Sequence, residues 1–196
     1  MTLTQPQRIG IFIVLALVMA GTRINHFGAL PDASWVVFFV AGFYLRGSMR
    51  WAFPALMALA VLVDFIVISG QGLDFWSHYC VSPGYWFLLA AYAAMWHGGS
   101  LLRASAPGLS LRSLGLLVVS FLVAEALCFV ISNGSFYWLS ASVASPSLAG
   151  WIENMGDWYL PYLRTSAMYA CIATGVHIIG TQWLSLLAGR QAQIRG

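Results

Sequence analysis

Apolar residues along this chain come in long runs, and six of them can be read. They cover Ile9–Gly21, Ser34–Leu45, Trp51–Ser69, Tyr85–Leu102, Leu114–Ile131 and Trp158–Leu187. A helix needs about 20 residues to cross the hydrocarbon of a bilayer. The first two runs are therefore expected to extend into their flanks, and the last is long enough to tilt or project. Breakers separate the runs, as at Ala29-Leu30-Pro31-Asp32, Ser69-Gly70-Gln71-Gly72 and Ala104-Ser105-Ala106-Pro107-Gly108. The pattern predicts an all-α membrane protein with six transmembrane helices in one domain over residues 1–196. It shows no internal repeat, low-complexity tract or second domain.

Composition strengthens this reading. Hydrophobic residues make up 60% of the chain and charged residues 8%, with a mean hydropathy of +0.80. A soluble domain carries about three times that charged fraction. All nine basic residues are arginine, which excludes a P-loop lysine and lysine Schiff-base chemistry. If ATP is used, another subunit binds it. The net charge of +3 is too small and scattered for nucleic-acid binding.

Arginine placement instead predicts an orientation. Arg8, Arg46, Arg50, Arg103, Arg112, Arg190 and Arg195 flank the runs on one side, Arg23 alone lies on the other, and Arg164 falls inside the sixth run. Seven against one is a strong positive-inside bias, so both termini are expected in the cytoplasm. Arg8 with the run ending at Val18-Met19-Ala20 also resembles a signal peptide. The reading taken here is a retained first helix, on which Ala16 and Ala20 form a small-xxx-small face.

The non-cytoplasmic loops follow from this orientation: loop 1 near Arg23–Ala33, loop 3 near Gly70–Gly84 and loop 5 near Ser132–Asp157. The last is longer than a turn requires. Cys80 lies in loop 3, whereas Cys128 and Cys171 fall inside helices and read as small buried hydrophobes. Cys80 thus has no evident disulfide partner on an oxidising side. It is either a shielded thiol or a soft ligand for a metal or cofactor. No CxxC or HxxxH accompanies it, so one thiolate completing the coordination of a metal held in its own macrocycle fits better than a bare ion.

Aromatic residues crowd the same side. Phe75, Trp76, Tyr79, Tyr85 and Trp86 belong to loop 3 and the next run; Phe136, Tyr137, Trp138, Trp151, Trp158, Tyr159 and Tyr162 surround loop 5. An interfacial belt accounts for many of them, while a large, flat, partly apolar ligand would use the same walls. His26 and His78 lie on this side too and could line a site. Within the runs, Asp64 and Arg164 fall ~8 and ~9 Å below the outer helix ends, with Glu125 deeper. Such charges should face inward and pair. Asp64–Arg164 is the expected pair, a strut, with ligand contact by Arg164 as the alternative. A second functional class is a membrane redox subunit binding haem or quinone, although His97 and His177 lie at different depths.

Six helices in under 200 residues, no nucleotide motif, and Tyr79-Cys80-Val81-Ser82-Pro83-Gly84-Tyr85 in loop 3 resemble the BtuM-type cobalamin transporters. These are similar to solitary S-components of energy-coupling-factor transporters. The resemblance implies an S-component-like bundle in the cytoplasmic (inner) membrane, with cobalamin captured at the periplasmic face. It implies Cys80 as axial ligand to the corrin cobalt, with a possible decyanation of cyanocobalamin through that thiolate. It also implies that the protein can act alone, without a dedicated ATPase module, and leaves an energy-coupling ATPase module as an optional partner. Tyr79 and Tyr85, flanking the ligand, are taken as corrin neighbours. Phe75, Trp76, His78, His26, Tyr137 and Arg164 are added from their side of the membrane and their chemistry.

Overall fold

The computed structural model describes residues 3–24, 31–106 and 108–195, and every regular element among them is helical. Six α-helices follow in order: α1 (Gln5–Ile24), α2 (Ser34–Tyr44), α3 (Met49–Gly70), α4 (Leu88–Ser105), α5 (Leu111–Leu139) and α6 (Leu148–Arg195). Short 3-10 turns at Arg46–Ser48 and Pro83–Phe87 lead into α3 and α4. By length and composition, Gln5–Ile24, Arg46–Gly70 and Leu111–Leu139 can each cross a membrane. The outward surface agrees: Leu17 on α1, Val119 on α5 and Val176 on α6 are 67%, 61% and 67% exposed. Apolar side chains exposed on several helices at once need lipid or a partner to cover them.

The short α2, with 11 residues, spans only ~16 Å. Its sequence Ser-Trp-Val-Val-Phe-Phe-Val-Ala-Gly-Phe-Tyr is apolar all round, which is the mark of a helix with no solvent face. Accordingly Trp35, Val36, Val37, Phe38 and Phe39 are all buried. Phe38 stacks on Tyr92 of α4 with centroids 4.5 Å apart.

Glycines set how closely α2 and α4 approach. A Cβ on Gly42 would fall 2.0 Å from the Trp96 carbonyl oxygen, and one on Gly99 1.9 Å from that of Phe39. Backbones can touch there only because neither residue has a side chain. Ser100 Oγ donates to the Gly42 carbonyl at 3.0 Å, and Ser120 Oγ on α5 donates to that of Gly98 at 2.8 Å. The result is a close-packed α2–α4–α5 unit. By contrast α6 meets it through large rings, with Trp35–Tyr162 at 5.1 Å and Phe129–Tyr159 at 5.2 Å.

The expected loop 5 is mostly helix. α5 runs on to Leu139 and α6 begins at Leu148, so only residues 140–147 connect them. The polar stretch Ser132-Asn133-Gly134-Ser135 disguised the end of α5. Its serines satisfy themselves inside the helix: Ser132 Oγ donates to the Phe129 carbonyl at 3.4 Å and Ser135 Oγ to that of Ser132 at 3.0 Å. At the start of α6, Ser147 Oγ accepts from Gly150 N–H at 3.1 Å as an N-cap. Tyr137 OH donates to the Ser147 carbonyl at 3.2 Å, joining the two helix ends.

Candidate functional site

A cavity of about 500 Å³ opens at the end of the bundle where α1 and α3 end and α4 and α6 begin. Its floor is ionic. Arg23, in the last turn of α1, sends Nε to Asp64 Oδ1 at 2.6 Å and Nη2 to Asp64 Oδ2 at 2.7 Å. Nη1 donates to Asp32 Oδ2 at 2.9 Å, to Ser34 Oγ at 3.1 Å and to Tyr92 OH at 3.2 Å. The planar guanidinium thereby ties α1 to α3, to the entry of α2 and to α4, and its bidentate fork is the strong form of such a bond. Tyr85 OH completes the node by donating to Asp64 Oδ2 at 2.6 Å. One guanidinium between two ionised carboxylates leaves the floor with a net charge of −1.

The pairing of Asp64 with Arg164 does not occur. Asp64 is occupied by Arg23, and Arg164 is exposed on α6. Depth along a helix gives no neighbour. α1 packs beside α3, whereas α6 packs on α5 and α2, so the arginine at a matching depth on α6 is on the wrong side of the bundle.

The wall above the floor contains Cys80. Pro83–Phe87 anchors the loop that carries it: a Cβ on Gly84 would meet the Ser135 carbonyl oxygen at 2.7 Å, and Ser135 Oγ shares its one proton between the Ser132 carbonyl and the Gly84 carbonyl, the latter at 3.2 Å. Phe75 pins the other end of the loop, only 4% exposed, with ring centroids 5.5 Å from Phe65 and 6.4 Å from Tyr85. Between these anchors Cys80 N–H donates to His78 Nδ1 at 3.3 Å, and the His78 and Tyr79 rings lie 4.5 Å apart. The thiol is half-buried. Burial pushes it above the ordinary cysteine range; the Tyr79 hydroxyl beside it opposes that shift, while Asp64 adds to it and Arg23 opposes it. Cys80 therefore holds its proton more firmly than a free cysteine, and a metal cation that displaces that proton would make it a thiolate.

Of the residues singled out from sequence, Cys80, Tyr79, Tyr85, His78 and Tyr137 all line this cavity. Phe75, Trp76 and Arg164 do not: Phe75 is the buried anchor just described, Trp76 points outward at 69% exposure, and Arg164 faces away on α6. His26 lies outside the described residues. Trp35, Trp158 and Tyr162 supply further aromatic wall, and Asn133 and Asn154 supply amides. Asn133 Oδ1 is buried with no hydrogen-bond partner, an acceptor left open at the cavity wall.

Sequence reasoning missed Arg23, Asp32, Tyr92 and Asn133. A signal existed for the first two. Arg23 is the one arginine on the side otherwise free of them, nine residues before an aspartate, and such a charge needs a partner.

Among the described residues no group of three or more His, Cys, Asp or Glu side chains could hold a metal ion. Among the described residues, Cys80 therefore belongs to no such group. The two histidines weighed for haem do not share a cavity. His177 accepts from or donates to Tyr44 OH through Nδ1 at 2.5 Å and lines a separate apolar cavity of about 380 Å³, while His97 is exposed on α4 and lines neither. No protein-family model matches the chain, and no curated protein matches it.

Proposed function

We propose that this protein takes up a corrinoid, cobalamin, across the cytoplasmic membrane, with six transmembrane helices and both termini inside. The cavity then opens to the periplasm and Cys80 is the axial ligand to cobalt. One observation carries this reading: a single half-buried thiol stands in an aromatic-walled cavity and, among the described residues, belongs to no group of three or more metal-ligating side chains. A lone soft donor suits a metal whose other positions are already filled, and a corrin fills four of them with nitrogen.

The surroundings fit the rest of such a substrate. Tyr79, Tyr85, Trp35 and Tyr162 offer faces to an extended flat ring, and the open acceptor of Asn133 suits a peripheral amide. The net negative floor favours a cationic cobalt centre over an anion. The cavity of about 500 Å³ is smaller than a whole corrinoid, so residues 71–82 and 140–147 at its rim part to admit it.

Cobalt also supplies what the thiol lacks. Binding to Co(III) displaces the Cys80 proton, and the thiolate weakens the bond to a cyanide on the opposite face. Cyanide leaves with that proton as hydrogen cyanide, and the cobalt keeps its oxidation state.

Absorption spectroscopy tests the reading. Adding cyanocobalamin to purified protein should produce cobalt–sulfur bands and release cyanide, and both should vanish in Cys80→Ala. A corrinoid spectrum that the native protein leaves unchanged would sink the assignment.

A further inference from the structure

Two cavities lie at opposite ends of the same three-helix seam. On α5 the first is lined by Ser132 and Asn133 and the second by Leu114 and Leu117. On α2, Trp35 lines the first and Phe39 the second, one helical turn apart. On α6, Tyr162 belongs to the first and Ala173 and His177 to the second.

Glu125 sits between them. It is seven residues below Ser132 and eight above Leu117 on α5, ~10 and ~12 Å at 1.5 Å per residue. It is 0% exposed and makes no ion pair among the described residues; the Tyr159 hydroxyl of α6 is the polar group that bears on its carboxyl, without closing a well-formed hydrogen bond. Sequence reasoning expected a charge here to pair; this one does not. Among the described residues the titratable groups that bear on it are Tyr159 from α6 and Cys128 on α5 itself. Arg23 on α1 is committed to Asp32, Asp64 and Tyr92, and the ion pairs found among the described residues do not include Glu125. An ionised carboxylate without an ion pair is the species a dry interior penalises most, whereas a neutral acid fits this place.

The packing indicates which side can open. α2 and α4 are held backbone to backbone at Gly42 and Gly99, and α5 closes on α4 where Gly98 admits the Ala124 side chain and Ser120 Oγ donates to the Gly98 carbonyl. α6 leans on them through Tyr159 and Tyr162, rings that can slide without breaking a backbone contact. Withdrawal of α6 would admit water to Glu125 along the seam.

We propose that Glu125 is a proton-binding site at the midpoint of the substrate passage, and that movement along the α2–α5–α6 seam carries one proton with the substrate. The inference rests on the uptake reading. Glu125 takes a proton from water in the Cys80-side cavity, holds it while the seam is closed, and releases it to the second cavity when α6 moves. One O–H bond forms and one breaks per cycle, with no redox change.

The test uses purified protein in phosphatidylethanolamine–phosphatidylglycerol vesicles without ATP. Native protein should accumulate cyanocobalamin when the Cys80 side is made acidic, up to about tenfold per pH unit because each unit is a tenfold proton ratio. Glu125→Gln should keep the cobalt–sulfur spectrum yet lose the response to the gradient, and Glu125→Asp should retain it. A Gln variant that still follows the gradient overturns the proposal. Infrared difference spectra between acid and alkaline pH give a readout without substrate. The carbonyl stretch of a protonated carboxylic acid, shifted in D2O, should be present in native protein and missing in Glu125→Gln; its absence from native protein, or persistence in the variant, overturns the proposal. If cyanocobalamin gives no cobalt–sulfur spectrum with native protein, the corrinoid reading fails, and the infrared band still decides Glu125.

Discussion

Arg23 is the residue on which most of the site's geometry depends. Its guanidinium is 9% exposed and holds two carboxylates belonging to different parts of the chain. Truncating it leaves Asp64 and Asp32 facing each other without a cation, so Arg23→Met should destabilise the protein by about 3–5 kcal/mol. Thermal unfolding in detergent should show that loss, and adding Asp64→Asn to the same chain should restore part of it. Tyr85→Phe removes only one bond to a charged group and should cost about 1.5–3 kcal/mol. Cys80 offers a second residue-level check. Its thiol is held above the ordinary range by burial, so less of it is thiolate at neutral pH than in a free cysteine, and alkylation should accelerate as pH rises past that range. Tyr79→Phe removes the opposing hydroxyl, so it should slow alkylation further at a given pH. Cys80 and Tyr79 were legible in the sequence because they stand outside every apolar run, and Tyr85 because it opens one. The Arg23–Asp64 bond spans 41 residues, and no local pattern records which two helices end side by side.

At the scale of elements, apolar runs located all six helices but not all their ends. α2 was read to within one residue, because a run without a polar face stops where the chain must turn. α5 and α6 were read short, since Ser132, Asn133, Glu153, Asn154 and Asp157 look like loop residues. In the structure they are polar positions of helices that border a cavity or solvent, where polarity says nothing about helix or loop. The α2–α4 crossing was invisible for a different reason. Gly42, Gly98 and Gly99 read as ordinary glycines in apolar runs, yet a Cβ at Gly42 or Gly99 would collide with backbone rather than with a movable side chain. Gly99→Ala should therefore cost at least about 2 kcal/mol, beyond the helix-propensity gain that alanine normally brings. Gly115, with nothing near its Cβ position, is the control: Gly115→Ala on α5 should leave the melting temperature unchanged or raise it.

For the whole molecule, orientation decides whether the cavity can capture anything. The proposed topology puts Cys80 outside and Arg112, exposed at the start of α5, inside. Both positions can be read with one reagent, a membrane-impermeant maleimide applied to intact cells. Cys128 is buried, and Cys171, although exposed, sits along α6, where lipid covers it under this topology; Cys171→Ser removes its background. In that variant Cys80 should label slowly from outside, as its raised thiol demands, and cyanocobalamin should protect it. With Cys80→Ser and Arg112→Cys in the same background, labelling should require permeabilised membranes. Labelling of Arg112→Cys in intact cells would reverse the orientation and place the Cys80 cavity in the cytoplasm. It would also reverse the side from which Glu125 draws its proton, because the two cavities exchange positions whenever the bundle is inverted. The positive-inside count and the direction of uptake therefore stand on the same measurement.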